Sequence, residues 1–233
     1  MKTSFLRYTL FAAGIVSALA GRALAVPNVY FDRDDTTASV TSFPNSQAKF
    51  NQFTAALGSF GVDTIETSVG INPTLSFGAT GITAASQNVL AQAAPGFTIN
   101  TQALLELDAV GFPQGNTIFT FNQYVNGFGA FVIQGGDGAS SNPTTFRLRD
   151  TATNLFVDVP VQVGPSWGLQ NVFFLGVIDS TPFNEVQIIE TLDSADGMLY
   201  DNIVVGTVPE PSALALASIV GVAITAARRR FRS

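Results

Sequence analysis

The 233-residue chain contains neither cysteine nor histidine. Without them, Ser-His-Asp and Cys-His nucleophile machinery is excluded, and so is zinc held by His or Cys ligands. Without cysteine no disulfide can close, so the fold rests on its core alone even in an oxidising compartment. Charged residues make up only 12% of the chain, and tryptophan occurs once. Basic residues are scarcest in the middle: between residues 26 and 207 only Arg33, Lys49, Arg147 and Arg149 stand against 16 acidic residues, because seven of the 11 basic residues and Glu210 lie in the two ends. The resulting 4 − 16 = −12 repels nucleic acid and attracts cations, which excludes a nucleic-acid partner and makes calcium a reasonable ligand to test for. No internal repeat is present, which argues against a solenoid.

The two ends read as processing signals. Lys2 and Arg7 precede an apolar run over residues 10–19, and Ala23-Leu24-Ala25 gives the small-x-small pattern that signal peptidase requires. This predicts cleavage after Ala25 and export across the inner membrane. At the other end Pro209-Glu210-Pro211 precedes an uncharged stretch of 16 residues, 212–227, followed by Arg228, Arg229, Arg230 and Arg232. As a helix that stretch would rise about 24 Å, short for a hydrocarbon core of about 30 Å, so it would make a weak anchor. Its cationic end belongs in the cytoplasm by the positive-inside rule, leaving the rest outside. The chain divides into a signal peptide (1–25), an extracytoplasmic domain (26–207) and a sorting segment (208–233).

Within the domain, Asn45 or Ser46 can cap a helix whose apolar residues Phe50, Phe53, Leu57 and Phe60 fall on one face, with Gly58 and Gly61 to end it. From there the pattern changes to period two. Leu155, Val157, Val159, Val161 and Val163 alternate with Phe156, Asp158, Pro160 and Gln162, and Pro160 marks an edge or a bulge. Further strands are predicted over 62–69, 75–77, 117–121, 130–133, 146–149, 172–178, 186–189 and 200–205. Turn chemistry separates them at 135–138, 150–154, 164–165, 180–182 and 193–197, while 84–96 reads as a long loop or short helix. The expected fold is an all-β, antiparallel, jelly-roll-like sandwich with one amphipathic helix, and 20 phenylalanines in the chain can supply its core.

The tail, with Pro209-Glu210-Pro211 as motif and Arg228, Arg229 and Arg230 as basic end, closely resembles the PEP-CTERM sorting signal of Gram-negative bacteria. That resemblance implies processing by an exosortase in a bacterium that secretes exopolysaccharide. The apolar motifs at 118–122, 127–133, 173–177, 182–183 and 200–203 resemble the ectodomains attached to such tails, which look like jelly-roll sandwiches akin to carbohydrate-binding modules and lectins.

Two kinds of site can be named. Calcium takes six to eight oxygen ligands, and two acidic groups offer them: Asp32, Asp34 and Asp35 by the first strand, and Asp201 with Asn202 at the last, which in sandwiches often neighbour each other. The alternative is that Asp201 and Asn202 make turn hydrogen bonds and that the 32–35 run is solvated. Sugar contact would use an exposed ring. Trp167, in a Gly-Pro loop, and Tyr124 are the candidates, and capping of the core is the other reading for Trp167. Catalysis would need a pair of carboxylates facing each other about 5–10 Å apart, and no pair stands out among the acids. The sequence therefore points to an exported, noncatalytic surface or matrix protein associated with exopolysaccharide. A lectin-like glycan binder and a carboxylate glycosidase are the alternatives.

Overall fold

The computed structural model describes residues 26–35, 42–93, 98–107, 116–134, 144–161, 171–189 and 198–208. The predicted signal peptide, the predicted sorting motif with its apolar stretch and basic end, Trp167 and the predicted turns at 135–138, 164–165 and 193–197 lie outside them.

The described chain is an antiparallel, jelly-roll-like β-sandwich with one helix. In chain order it runs β1 (Asn28–Asp35), α1 (Pro44–Ala56), β2 (Ser59–Asp63), β3 (Gly70–Ile71), β4 (Thr74–Ser76), β5 (Thr83–Gln87), β6 (Val89–Ala93), β7 (Gln102–Glu106), β8 (Thr117–Gln134), β9 (Thr144–Asp150), β10 (Leu155–Val161), β11 (Asn171–Ile189) and β12 (Met198–Thr207). Two strands are far longer than the usual five or six residues, β8 with 18 and β11 with 19. Each bends and serves both layers. The outer layer joins β10, β9, the second half of β11, the first half of β8, β5 and β4. The inner layer joins β1, the first half of β11, the second half of β8 and β12, which continues to β2 and, through β7 and β6, to β3.

Period two explains why both layers bury cleanly. Along β8 the residues Phe119, Phe121, Phe128, Ala130 and Val132 point between the layers, where they meet Phe146 and Leu148 of β9, Phe173, Leu175 and Val177 of β11, and Tyr200 and Val205 of β12. The alternate residues Phe131 and Ile133 of β8, with Val172 and Phe174 of β11 and Leu199 and Val204 of β12, form a second apolar surface on the far side of the inner layer. The helix covers that surface: Phe53 is fully buried and meets Phe174 with ring centroids 5.4 Å apart. Glycines make room for it. A Cβ at Gly176 would lie 2.8 Å from Phe53 Cδ2 and 2.9 Å from Phe174 Cε1, and one at Gly127 would lie 2.7 Å from Leu57 Cδ2.

Four local expectations are corrected. The helix ends at Ala56, so Phe60 lies in β2 and is 45% exposed instead of joining the apolar stripe. Neither Asn45 nor Ser46 caps the helix; its N-cap is Phe43 with Pro44 at the first turn, and the cap comes from β1, where Asp34 accepts from Asn45 N (3.1 Å) and Ser46 N (2.7 Å). Residues 180–182 do not reverse the chain. They form an irregularity within β11, between Ile178 and Phe183, held by Asn126 Nδ2 donating to Asp179 O at 3.0 Å, and there the strand passes from one layer to the other. The segment from Ala84 onward, read as loop or helix, supplies β5 and β6, whose Ala84, Ser86, Val89 and Ala91 alternate into the buried side as a strand's period of two requires.

Candidate functional site

The two acidic groups considered for calcium, Asp32, Asp34 and Asp35 on one side and Asp201 with Asn202 on the other, do not converge. The ladder register runs Asp32↔Phe174, Phe174↔Phe131 and Phe131↔Asp201, so β11 and β8 separate β1 from β12. Three strand spacings put the two acidic groups about 14 Å apart, too far for one ion held at 2.3–2.6 Å from each ligand. The expectation that the first and last strands are neighbours is therefore corrected. Asp34 is engaged as the helix cap, and Asp32 lies 4.0 Å from Lys49 Nζ. Among the described residues no group of three acidic side chains could hold a metal ion.

Asp201 has a different task. A register shift in β12 after Asp201 places Asn202 at φ 44°, and the Asp201 side chain faces the turn that leads into β7. Its Oδ2 accepts from Ile99 N (2.9 Å) and Asn100 N (3.3 Å), and its Oδ1 from Asn202 N (2.7 Å). The next two amides of that turn, Thr101 N and Gln102 N, donate to Glu66 Oε1 at 2.8 and 3.1 Å, and the Thr101 hydroxyl donates to Glu66 Oε2. Two carboxylates thus gather four consecutive backbone N–H groups. Burial pushes the Asp201 carboxyl up to about 6 against those hydrogen bonds, with the Glu66 charge adding to the rise. The Thr101 hydroxyl holds Glu66 below the ordinary range. Asp201 is fully buried and no substrate can reach it.

The exposed outer face of the outer layer carries a feature the sequence reading missed. Ladder register sets the outward residues in two parallel rows. One runs Phe156, Arg149, Glu185, Thr120 and Ala85 across β10, β9, β11, β8 and β5; the other runs Asp158, Arg147, Gln187, Ile118 and Gln87 across the same strands. Five strands give the face a width of about 19 Å. Arg147 grips Asp158 with two bonds, Nε to Oδ1 at 2.7 Å and Nη2 to Oδ2 at 2.9 Å, and its guanidinium lies 4.3 Å above the ring of Phe156. Arg149 reaches Glu185 Oε1 at 3.0 Å with Nη1 and Asn154 Oδ1 at 2.6 Å with Nη2, and Gln187 Nε2 donates to the same Glu185 oxygen at 2.8 Å. The hydrogen bonds from Arg147, helped by its charge, hold Asp158 below the usual carboxylate range. Phe156 is 54% exposed, and Tyr124, in line with Thr120 and Asn122 along β8, is 45% exposed. The Tyr124 hydroxyl donates to Asp150 Oδ1 at 2.7 Å, which raises the phenol and lowers the carboxyl. Of the two rings named from sequence, Tyr124 therefore borders this face.

The local signal for the face was Phe146-Arg147-Leu148-Arg149, which puts two of the domain's four basic residues on one side of a strand.

No known protein family matches the chain, and no curated protein matches it either. Solved structures of family 29 carbohydrate-binding modules show a loose likeness. A point variant of CBM29-2 has a TM-score of 0.38 at 12% identity, covering 66% of this chain and 99% of that chain. Another, complexed with mannohexaose, has 0.39 at 12%, covering 64% and 93%. A superposition this loose says nothing of what the present chain binds.

Proposed function

We propose that this protein is an exported, noncatalytic surface or matrix component that contacts polysaccharide through the outer face of its outer layer. The observation that carries the reading is the face itself: a flat field of fixed planar side chains, Arg147, Arg149, Asp158 and Gln187, with the two exposed rings of Phe156 and Tyr124. A sugar presents hydroxyls around an apolar ring face, and such a field offers hydrogen-bonding groups beside aromatic surface. The noncatalytic part of the reading rests on the acids. A glycosidase needs one carboxyl with a raised pKa open to the substrate. Among the described residues the carboxyl pushed up to about 6 is that of buried Asp201, and the exposed Asp158 is held down by its hydrogen bonds to Arg147.

Location belongs to the same proposal. Signal peptidase would cut after Ala25, the 212–227 stretch would hold the chain briefly in the inner membrane, and an exosortase would act at Pro209-Glu210-Pro211, releasing the domain to the surface or matrix. Among the described residues no helix is long and apolar enough to cross a membrane. In a host with exosortase, replacing those three residues by alanine should leave the tail attached, as intact mass would report; unchanged cleavage would refute the sorting role.

The experiment that tests the contact is binding of the purified full chain, in mild detergent, to the exopolysaccharide of the producing bacterium, with calcium and with chelator. Saturable binding is expected, and a difference between the two conditions would give calcium a part in it. Failure in both would refute polysaccharide contact.

A further inference from the structure

We infer that the ligand of this face is an uncharged polysaccharide, and that Arg147 and Arg149 serve there as planar, neutralised surfaces instead of anion receptors. The inference rests on the polysaccharide reading and deepens it. In a domain that carries four basic residues against 16 acidic ones, two of those four sit on this one face, which invites the opposite conclusion, that it is built for a polyanion.

The hydrogen bonds decide otherwise. Arg147 spends its Nε and Nη2 edge on both oxygens of Asp158, and one side of its guanidinium plane lies over Phe156. Arg149 spends Nη1 on Glu185 and both Nε and Nη2 on Asn154 Oδ1. Along the two rows the two cations and two anions sum to zero, and Asp150, bonded to Tyr124 at the border, adds a further negative charge, so the face carries no excess of positive charge. An incoming carboxylate or sulfate would meet guanidinium groups whose charge Asp158 and Glu185 already compensate, while approaching a net −12 field, and both effects oppose it. An uncharged chain meets neither obstacle. It can lay hydroxyls against Gln187, Thr120 and Asn154 and an apolar sugar face against the free side of Phe156.

The test compares a neutral mannan, a neutral β-glucan and a polyuronate as ligands of the full chain in mild detergent. Affinity is measured between about 0.1 and 1 M salt, over which the screening length falls from about 10 Å to about 3 Å. A neutral polymer is expected to bind with an affinity that salt does not change. Phe156→Ala should weaken it about tenfold, the scale of one lost aromatic contact, while Val69→Ser, exposed and off this face, should not. Asp158→Asn with Glu185→Gln releases both guanidinium groups and should create salt-sensitive polyuronate binding that the parent lacks. Thermal melts of each variant check folding; Phe156→Ala also uncovers one side of the Arg147 guanidinium, whose bonds to Asp158 stay in place. Polyuronate binding by the parent, falling with salt, would overturn the uncharged-ligand inference and leave the polysaccharide reading standing. Neutral-polymer binding indifferent to Phe156→Ala would place the contact elsewhere and overturn the inference too. If none of the three polymers nor the bacterium's own exopolysaccharide bound, the reading beneath it would fall as well.

Discussion

Stability should rise as the medium is acidified from about pH 7 toward pH 4, through Asp201, and this can be isolated by one substitution. The carboxyl lies fully buried among N–H donors and its folded-state pKa stands at about 6 against an ordinary 3.8. A carboxyl whose folded pKa is raised binds its proton more tightly in the folded state. Its contribution is therefore fully present below the unfolded value near 3.8 and is lost as pH rises through 6. The gap is about two pH units, and at 1.36 kcal/mol per unit this amounts to about 3 kcal/mol between those limits. Glu66, Asp150 and Asp158 shift the other way, but they are solvated and their part is small. Asp201→Asn removes the titration. It also sets an amide NH2 among four N–H donors, Ile99 N, Asn100 N, Asn202 N and Asn100 Nδ2, so the variant should be less stable at every pH. That constant loss does not matter to the readout, which is how the gap between parent and variant changes with pH. In urea melts at about pH 4, 5, 6 and 7 the gap should widen toward low pH by up to about 3 kcal/mol. A gap that stayed flat, or that widened toward neutral pH, would refute the argument that burial outweighs the hydrogen bonds at this carboxyl.

Two further predictions concern how the helix is seated. Gly176→Ala puts a methyl within 3 Å of Phe53 and Phe174, and should cost about 1–3 kcal/mol in urea melts; adding Phe53→Leu should return part of that loss, a non-additive result that two separate sites would not give. Asp34→Ala leaves Asn45 N and Ser46 N without their acceptor and should cost about 1 kcal/mol, with faster hydrogen exchange in the first turn of α1; unchanged exchange would show that β1 does not cap the helix.

The strands that alternate strongly were legible in the sequence because burial on one side of a strand imposes period two locally. The segments around Phe119, Phe131, Phe146, Val186 and Val204 all lie in strands where the alternation placed them. The joins were not legible. Ser180, Thr181 and Pro182 carry the residues of a reversing turn, yet the same chemistry serves an irregularity inside a long strand, and only the pairing of β11 with β8 on both sides of it decides between the two. The helix cap was misassigned for a similar reason: Asp34 acts across 11 residues on Asn45 and across 12 on Ser46, beyond any local motif. Asp201 and Asn202 were singled out, and Asp201 does hold a turn, but its partners Ile99 and Asn100 lie about a hundred positions away. The outward face was hidden for the most general reason. Thr120, Arg149, Phe156 and Glu185 are scattered over four strands, and nothing short of the register sets them in one row.

The place of β12 in the inner layer bears on how the molecule can be held from its C-terminal side. This strand, the last among the described residues, is not at a border: β8 binds it along one side, and β7 and β2 along the other. A force drawn through Thr207 along the strand would load both ladders in shear, so many hydrogen bonds would have to break together instead of one after another, as they would if a border strand were peeled away. A domain pulled by the chain that continues from Thr207 would therefore resist unravelling from that end.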